Sequence, residues 1–387
     1  MSPQAAVKQL SDALNSAFIE RGPEIRSLLV ALVAREHVLL LGDPGTGKSA
    51  LTNAICAAIE PAVGATDTGS FTVLMTRYTV PEEVFGPVSL TGLERDEYRR
   101  VTKGYLPTAR VAFLDEIFKA NSAILNSLLT VVNERVFDNG GTREKCPLEI
   151  CVGASNELPE DDSLAALYDR FVLRRWVHPI ANRDALRSLL SATAEPRITA
   201  TLTADDLAAL RLDAEAAAIP TDVLDVVLDL RDALAREHGI TASDRRWRKC
   251  MKLLRAAAVI DGRAVVERRD VLVLADALWR KPEERAAIVS TIAGLCSPDL
   301  AAAMKAMDAA VELLGLVGPL DKAAVQDTKD TSGATQRGLA FTNDAFKTLL
   351  SEVAKLDQRD PSVSEVADKI RAMQVAVSRA TRTRLGL

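Results

Sequence analysis

The sequence predicts an α/β protein in which a parallel-sheet core with helices on both faces (αβα) is followed by an all-α domain and a C-terminal helical region. Three observations lead to this prediction. One apolar run leads straight into a glycine-rich loop and a helical pattern, two later apolar runs end in polar residues, and only helical periodicity continues after about Ala181. Strands that alternate with helices and end in polar residues are typical of a parallel sheet with its site along one edge.

The elements of the core follow in order along the chain. Apolar residues recur at helical spacing from Pro3 to Ala34, and Gly22-Pro23 interrupts them, so two helices are expected before the first strand. The three predicted strands are Val38–Leu41, Val111–Leu114 and Leu148–Ala154.

A complete phosphate-binding loop follows the first strand. Its glycines let backbone N–H groups turn inward toward phosphate oxygens, Lys48 adds a positive charge at the β- and γ-phosphates, and the Ser49 hydroxyl is a ligand for Mg²⁺. Helical periodicity comes next, so the phosphates would lie at a helix N-terminus. The sequence therefore predicts a nucleoside triphosphate site formed by Gly42, Asp43, Pro44, Gly45, Thr46, Gly47, Lys48, Ser49 and Ala50.

Polar residues end the second and third strands. Asp115 and Glu116 form a Walker B pattern, in which Asp115 holds Mg²⁺ and Glu116 orients or deprotonates the attacking water. Asn156 closes the third strand and suits a hydrogen bond to the γ-phosphate or the lytic water. Asparagine at a strand end is also an ordinary turn residue. The functional interpretation of Asn156 therefore depends on its position after the Walker B strand.

An arginine beyond the sheet is a candidate for contact with phosphate. Arg170 suits a finger supplied to a neighbouring subunit's nucleotide, because its planar fork stabilises charge on a transferring phosphoryl group. A surface pair with Asp169 is the alternative interpretation, and Arg174 and Arg175 compete for the same role.

A second pair of arginines opens a helix of the all-α region. Ser243 or Asp244 is a plausible cap for this helix, and Arg245 or Arg246 could reach back to the nucleotide and report its state. The residues alone do not decide between these two arginines.

The rest of the chain is predicted to be helical. Helices are expected over Arg183–Ala192, Ala204–Leu212, Thr221–Glu237, Arg245–Ile260, Arg269–Leu278, Pro282–Leu295 and around Leu300–Leu316. The polar segment Asp327–Arg337 is expected to be a flexible loop, and the last two helices are expected to be split at Asp360-Pro361. The expected domains are residues 1–192 for the nucleotide-binding core, 193–290 for the all-α lid and 291–387 for the C-terminal helical region.

Composition limits the classes of function. The chain of 387 residues is 48% hydrophobic and 26% charged, and it contains no signal peptide and no apolar run of about 18 residues, so a cytoplasmic protein without a membrane span is expected. The net charge of −5 argues against nucleic acid as the main partner. The five cysteines form no C-x-x-C pair, and His37, His178 and His238 have no partnered acid or cysteine pattern, so no zinc site is expected.

The order of these features resembles an AAA+ ATPase, and several local motifs resemble the MoxR family, RavA-like branch. The resemblance spans roughly residues 5 to 275. Its motifs are Thr76–Pro87, Gly104–Pro107, Phe113–Ala120, Ile124–Leu129, Asn133–Arg135 and Ala154–Pro159.

The resemblance implies roles for single residues. Asn156 would be sensor 1, Arg170 the arginine finger and Arg245 the sensor 2 residue. Arg246 stays an alternative, because Ser243-Asp244-Arg245 departs from the family's Ser-Pro-Arg.

The resemblance also implies two inserted segments. Residues from about Thr76 to Tyr105 would be a helix-2 insert, and Arg135–Leu148 would be a pre-sensor-1 β-hairpin with its turn at Asn139-Gly140-Gly141. Both would face the central channel of a ring.

RavA-like proteins are cytoplasmic hexamers that work with a von Willebrand factor A (VWA) domain partner in remodelling or chaperone-like maturation of other proteins. The leading hypothesis is therefore a Mg²⁺-dependent ATPase that uses ATP, forms a homo-hexameric ring and remodels a protein client with a VWA-domain partner. The alternative is a slow nucleotide-switched adaptor or assembly module. A DNA motor is disfavoured, because the predicted hairpin carries mixed charge rather than a strongly cationic one.

Overall fold

The structure is a computed structural model. It describes residues 2–59, 69–159, 162–191, 198–317, 332–357 and 361–385. The chain divides into two compact units, one formed by Met1–Leu224 with Ile240–Arg285 and the other by Asp225–Gly239 with Ala286–Leu387.

A parallel sheet forms the centre of the first unit. The strands of the described residues are β1 His37–Leu41, β2 Ser70–Leu74, β3 Val111–Asp115, β4 Val136–Asn139, β5 Thr142–Lys145, β6 Ile150–Ser155 and β7 Phe171–Trp176. Five of them form the sheet, in the order β2-β3-β6-β1-β7 with parallel pairing throughout, and β4 and β5 form a separate antiparallel hairpin. The three predicted strands are therefore confirmed as β1, β3 and β6, the three central strands.

The central strands are apolar along their length because helices cover both faces of the sheet. Every residue of β1 and β6 is buried, as expected for parallel strands enclosed on both sides. The edge strand β2 is largely exposed and alternates, with Phe71 buried between exposed neighbours. The strands β2 and β7 form the two edges of the sheet. The apolar runs of the sequence predicted only the three strands between them.

The helices that periodicity predicted are present among the described residues, except that the one expected at Arg269–Leu278 is a 3-10 helix. The described α-helices are α1 Pro3–Ala17, α2 Gly22–Ala34, α3 Lys48–Ala58, α4 Pro81–Phe85, α5 Leu90–Leu93, α6 Ser122–Glu134, α7 Asp162–Tyr168, α8 Arg183–Ser191, α9 Ala204–Ala216, α10 Thr221–His238, α11 Asp244–Ile260, α12 Glu284–Cys296, α13 Pro298–Val317, α14 Ser332–Val353 and α15 Pro361–Leu385. Short 3-10 helices span Leu106–Thr108, Ile117–Lys119 and Arg268–Asp276. Within the described residues, no helix is both long and apolar enough to cross a membrane.

Helices of the expected lid pack against the first helices of the core. α11 contacts α2 and α9, and α9 also contacts α1 and α2. The apolar face of α11 is fully buried at Cys250, Leu253 and Leu254. Because of these contacts, α9 and α11 belong to the same compact unit as the sheet. The three-part division at residues 192 and 290 stays a prediction, and the contacts group the helices differently.

In the second unit, α13, α14 and α15 pack against one another. Asn343 on α14 accepts hydrogen bonds from Gln374 and Ser378 on α15, at 3.2 and 2.8 Å. The loop predicted at Asp327–Arg337 is corrected in part: its residues from Ser332 onward are helical, in α14, and the preceding ones lie outside the described residues. α15 begins at Pro361, because proline is well suited to the first turn of a helix.

Candidate active site

The carboxyl ends of three neighbouring strands form the candidate site. The phosphate-binding loop follows β1, Asp115 is the last residue of β3, and Asn156 follows β6. Because β3, β6 and β1 are adjacent and parallel, their ends meet at one edge of the sheet. The structure thus brings together the residues that the sequence placed at the ends of separate strands.

The phosphate-binding loop needs glycine at several positions. Gly42, Gly45 and Gly47 have φ angles of +138°, +81° and +84°, which side chains disfavour. A Cβ on Gly42 would also lie 2.3 Å from the carbonyl oxygen of Val177. The loop ends where α3 begins, at Lys48, so the loop and the N-terminus of α3 form one cradle for an anion.

Lys48, Asn156 and Glu116 form a hydrogen-bonded row across this edge. Lys48 Nζ donates to the carbonyl oxygens of Gly42 and Asp43 at 2.6 and 2.9 Å, and to Asn156 Oδ1 at 3.1 Å. Asn156 Nδ2 donates to Glu116 Oε1 at 2.5 Å. Burial lowers the pKa of Lys48, while the nearby carboxylates oppose this shift. Asn156 therefore connects the loop cation to the Walker B glutamate.

Ser49 and Asp115 form the part of the site that suits a metal ion. Ser49 Oγ donates to Asp115 Oδ2 at 3.1 Å, and Asp115 Oδ1 accepts from the backbone N–H of Glu116 at 3.0 Å. A hydroxyl and a carboxylate beside a phosphate cradle are the hard oxygen ligands that Mg²⁺ takes together with substrate phosphates. These two residues fit a Mg²⁺ ion.

Glu116 has a strained backbone. Its φ of +51° places a non-glycine residue in the left-handed region, which costs on the order of 1–2 kcal/mol. This conformation turns the chain from β3 into the short 3-10 helix Ile117–Lys119. Lys119 Nζ lies 3.2 Å from Glu116 Oε2, close enough for an ion pair but not aligned as a hydrogen bond. Sequence analysis missed Lys119, although its spacing of three residues from Glu116 was visible.

Arg170 lies at the opposite end of the sheet from the phosphate-binding loop. It directly precedes β7, whose first residue, Phe171, pairs with His37 at the start of β1. The five residues of β1 separate that end from the loop by about 17 Å. The Arg170 side chain is 23% exposed, lies 3.9 Å from Asp169 Oδ2, and has a buried Nε without a hydrogen-bond partner among the described residues. Arg170 does not reach the phosphate-binding loop of its own chain.

The two competing arginines have interior partners. Arg174 is buried, donates to the carbonyl oxygens of Trp279 and Tyr168, and lies over the Tyr168 ring at 3.8 Å. Burial lowers the pKa of Arg174 to about 9. Arg175 forms an ion pair with Asp276 at 2.7 Å. Among the described residues, Arg170 therefore has fewer hydrogen bonds and ion pairs through its side chain than Arg174 or Arg175.

Arg246 is buried at the start of α11 and connects this helix to the residues on both sides of Arg170. Its Nε donates to the carbonyl oxygen of Ala277 at 2.7 Å, its Nη1 to Asp169 Oδ1 at 3.1 Å, and its Nη2 to the carbonyl oxygen of Phe171 at 3.2 Å. Burial lowers the pKa of Arg246, and Asp169 opposes the shift. These contacts fix the turn that carries Arg170.

Arg245 also lies at the far end of the sheet. It hydrogen-bonds Asn133, whose neighbour Val132 accepts a hydrogen bond from His37 at the start of β1. The expectation that Arg245 or Arg246 reaches back to the nucleotide of its own chain is therefore not met, because the N-terminus of α11 docks where the strands begin.

The predicted hairpin is present as β4 and β5, with Gly140 and Gly141 in its turn at φ +60° and +85°. It packs against the segment predicted as the helix-2 insert. Phe137 stacks on Phe85 at 5.3 Å, and Asn139 exchanges hydrogen bonds with the backbone of Arg100 at 2.6 and 3.2 Å.

The hairpin carries charges of both signs, and one of its cations, Arg143, is paired. Arg135 donates to the carbonyl oxygen of Leu148 at 2.9 Å, and Arg143 pairs with Glu134 at 2.5 Å. This mixed and partly neutralised surface lacks the row of free cations that binding to a phosphate backbone requires.

Comparison with known proteins first gives the class. The crystal structure of a candidate ATPase from Cytophaga hutchinsonii matches this fold with a TM-score of 0.60, covering 76% of this chain and 95% of that one at 16% identity. An AAA lid domain family model matches residues 222–292. The fold and the lid together define a protein of the AAA+ class.

The family follows from closer matches. A family model described as the MoxR domain in the MoxR-vWA-beta-propeller ternary systems matches residues 5–214. An uncharacterised protein of Methanocaldococcus jannaschii is 38% identical over 279 residues, which is 72% of each chain. The protein MoxR of Paracoccus denitrificans is 27% identical over 188 residues, 46% of this chain and 52% of that protein. The chain belongs to the MoxR family of AAA+ ATPases.

Proposed function

We propose that this chain is a Mg²⁺-dependent ATPase that assembles as a hexameric ring and couples ATP hydrolysis to the remodelling or chaperone-like maturation of a protein client. One observation carries the proposal. The hydrogen-bonded row of Lys48, Asn156 and Glu116 lies at one end of the sheet, and the partly exposed Arg170 lies at the other. A site split in this way is complete only when one chain's Arg170 meets another chain's loop.

Each residue at the loop end has a role that its contacts support. Residues 42–50 would hold the triphosphate through backbone N–H groups and Lys48. Ser49 and Asp115 would hold Mg²⁺, which supplies charge neutralisation on the phosphates when bound. Glu116 would accept a proton from the attacking water, and Asn156 would orient that water and the γ-phosphate.

The arginines would act between chains. Arg170 would stabilise charge on the γ-phosphate held by a neighbouring chain, and Arg246 would fix its position through Asp169. Arg245 would serve as sensor 2 for the same neighbouring nucleotide, since it lies at the same end of the sheet as Arg170. A closed ring satisfies every such interface, because head-to-tail contacts that close generate a ring.

A VWA-domain protein is the partner we propose. The support is the description of the matching family model, whose MoxR domain occurs in MoxR-vWA-beta-propeller systems. The RavA-like branch and a cytoplasmic location stay predictions from the resemblance.

The mass of the purified protein and its phosphate release, measured on the same samples with and without ATP and Mg²⁺, test the proposal. Light scattering should give a particle of about six chains of 41.7 kDa when ATP is present, and phosphate should be released. A stable monomer that hydrolyses ATP at the same rate at all protein concentrations would contradict the shared site.

A slow nucleotide-switched adaptor is the second candidate. One contact favours it: the carboxylate of Glu116 lies between Asn156 and Lys119 and so has partners other than a water. If that arrangement persists with ATP bound, the same measurement should show tight ATP retention with little phosphate release.

A further inference from the structure

A short turn between α1 and α2 contacts the phosphate-binding loop from behind. Arg21, in this turn, is 8% exposed. Its Nη2 and Nε donate to the carbonyl oxygen of Thr46 at 3.0 and 3.3 Å, and its Nη1 donates to the carbonyl oxygen of Glu20 at 3.0 Å. Thr46 is itself buried and lies in the middle of the phosphate-binding loop. The guanidinium group thus rests on the outer side of the loop.

Arg21 is a buried cation for which the described residues supply no carboxylate partner. All its hydrogen bonds go to carbonyl oxygens, and no ion pair within the described part of the chain includes it. Burying a charge against dipoles alone is unfavourable unless another group compensates the charge. A phosphate bound in the phosphate-binding loop would compensate the charge of Arg21. It would lie on the opposite side of the Thr46–Gly47 peptide from the guanidinium group.

The geometry of the peptide bond connects Arg21 to the inside of the loop. The carbonyl of Thr46 and the N–H of Gly47 belong to one planar trans peptide and point in opposite directions. With the carbonyl held outward by Arg21, the N–H of Gly47 turns toward the side on which a phosphate-binding loop receives phosphate. A cation on the carbonyl oxygen also polarises the peptide, which makes this N–H a stronger donor.

The same turn also holds the start of α8. The Glu20 carboxylate accepts hydrogen bonds from the backbone N–H groups of Ala181 and Asn182, at 2.8 and 2.9 Å. Asn182 Oδ1 in turn accepts from the backbone N–H groups of Asp184 and Ala185 in the first turn of α8. Glu20 has a φ of +56°, so the chain holds it in a conformation that it would not adopt freely.

We propose that Arg21 is a positioning residue of the nucleotide site, which orients the Thr46–Gly47 peptide for phosphate and supplies positive charge to the triphosphate through that peptide. Glu20 connects the same turn to α8. The turn between α1 and α2 therefore contacts both the phosphate-binding loop and the start of α8. This inference rests on the proposed binding of ATP. It assigns a role to a residue that no motif identified.

Titration of the full chain with a fluorescent ATP analogue tests the inference. Arg21→Met keeps an apolar stem but removes the charge and the donors, and it should raise the Kd about tenfold or more. Arg21→Lys keeps the charge without the planar fork, and it should give a smaller increase. Arg26→Gln is the matched control. Arg26 lies in α2, the helix that Arg21 precedes, and forms an exposed ion pair with Asp261, so the Kd of this variant should equal that of the wild type.

Thermal unfolding without nucleotide separates positioning from a purely structural role. Since the buried charge of Arg21 is uncompensated in the empty site, Arg21→Met should keep the wild-type Tm without ATP and lose most of the rise in Tm that ATP causes. A lowered Tm without ATP combined with a wild-type Kd would overturn the inference. If Arg21→Met does not fold, a wild-type Kd for Arg21→Lys would overturn it equally.

Lys48→Ala distinguishes failure of this inference from failure of the proposed function. If Lys48→Ala abolishes binding of the analogue and both Arg21 variants bind normally, ATP binding stands and the role of Arg21 falls. If the wild type and Lys48→Ala bind equally well or equally poorly, the proposed function falls and this inference falls with it.

Discussion

His37, one of the three histidines for which the sequence offered no role, is a core residue at the start of β1. It is 2% exposed. Its Nδ1 accepts a hydrogen bond from the backbone N–H of Cys151 at 3.0 Å, so the ring is neutral with its proton on Nε2, which donates to the carbonyl oxygen of Val132 at 2.6 Å. The ring thereby joins β1, β6 and α6, and a second proton would break one of these hydrogen bonds.

Burial, aided by the charge of Arg135, lowers the pKa of His37 to about 3. In the unfolded chain the pKa is about 6.5. Between these values the unfolded chain binds a proton that the folded chain does not, so the free energy of unfolding falls as the pH falls. By pH 5, His37 alone should remove about 2 kcal/mol relative to pH 7.5.

Denaturant unfolding at pH 7.5 and 5 measures this effect. His37→Asn should show a smaller loss of stability between the two pH values than the wild type, by about 2 kcal/mol. His178→Asn is the control for the substitution itself, because it makes the same replacement at an exposed histidine. Equal pH dependence for the wild type and His37→Asn would contradict the prediction.

At the scale of elements, the start of α11 holds the residues on both sides of Arg170. Arg246, on the first turn of α11, binds the carboxylate and carbonyl of Asp169 and the first carbonyls of β7. Arg246→Lys keeps a positive charge but cannot make these contacts together. If Arg170 is the arginine finger that we propose, kcat for ATP hydrolysis should fall about tenfold to a hundredfold, because the displaced guanidinium group loses its alignment.

The Kd for ATP should stay near the wild-type value in Arg246→Lys, since the phosphate-binding loop is at the other end of the sheet. Arg248→Lys is the matched control on the same helix, because Arg248 is exposed, and its kcat should be unchanged. A normal kcat in Arg246→Lys would mean that α11 does not position the finger. Measuring kcat per folded chain removes any effect of lowered stability.

Elements differ in how far the sequence predicts them. The strands β1 and β6 are predictable because both their faces are buried, which leaves continuous apolar runs. The edge strand β7 is not, because it contains Arg174 and Arg175, whose partners come from distant parts of the chain. The buried position of Arg174 depends on the carbonyl oxygens of Trp279 and Tyr168, and sequence periodicity contains no information about those contacts.

At the scale of the whole molecule, the same distinction applies to the site. Lys48, Asp115 and Asn156 were predictable as one site because parallel strands bring their carboxyl ends to one edge whatever the details of packing. The positions of Arg170 and Arg245 depend on how helices pack at the other end of the sheet, which motif order does not specify. Arg21 was invisible because its function depends on a backbone carbonyl of the loop.

The separation of Arg170 from the loop of its own chain makes a prediction about mixed assemblies. A chain with Glu116→Gln has an inactive site but an intact Arg170, and a chain with Arg170→Ala has an intact site but no finger. Each variant alone should hydrolyse ATP slowly. For Glu116→Gln, the rate should be about 10² to 10⁴ times lower than that of the wild type. When equal amounts exchange in a ring, about one interface in four joins an intact site to an intact finger, so about a quarter of the wild-type rate should return.

The double variant, Glu116→Gln with Arg170→Ala, is the control for this experiment. Mixed with either single variant, it forms no interface that has both an intact site and an intact finger, so no activity should return. Recovery in the first mixture and none in the controls requires that hydrolysis use residues from two chains. If the first mixture recovers nothing although light scattering shows that the chains have mixed, Arg170 acts within its own chain or not at all. A ring would then not be needed to complete the catalytic site.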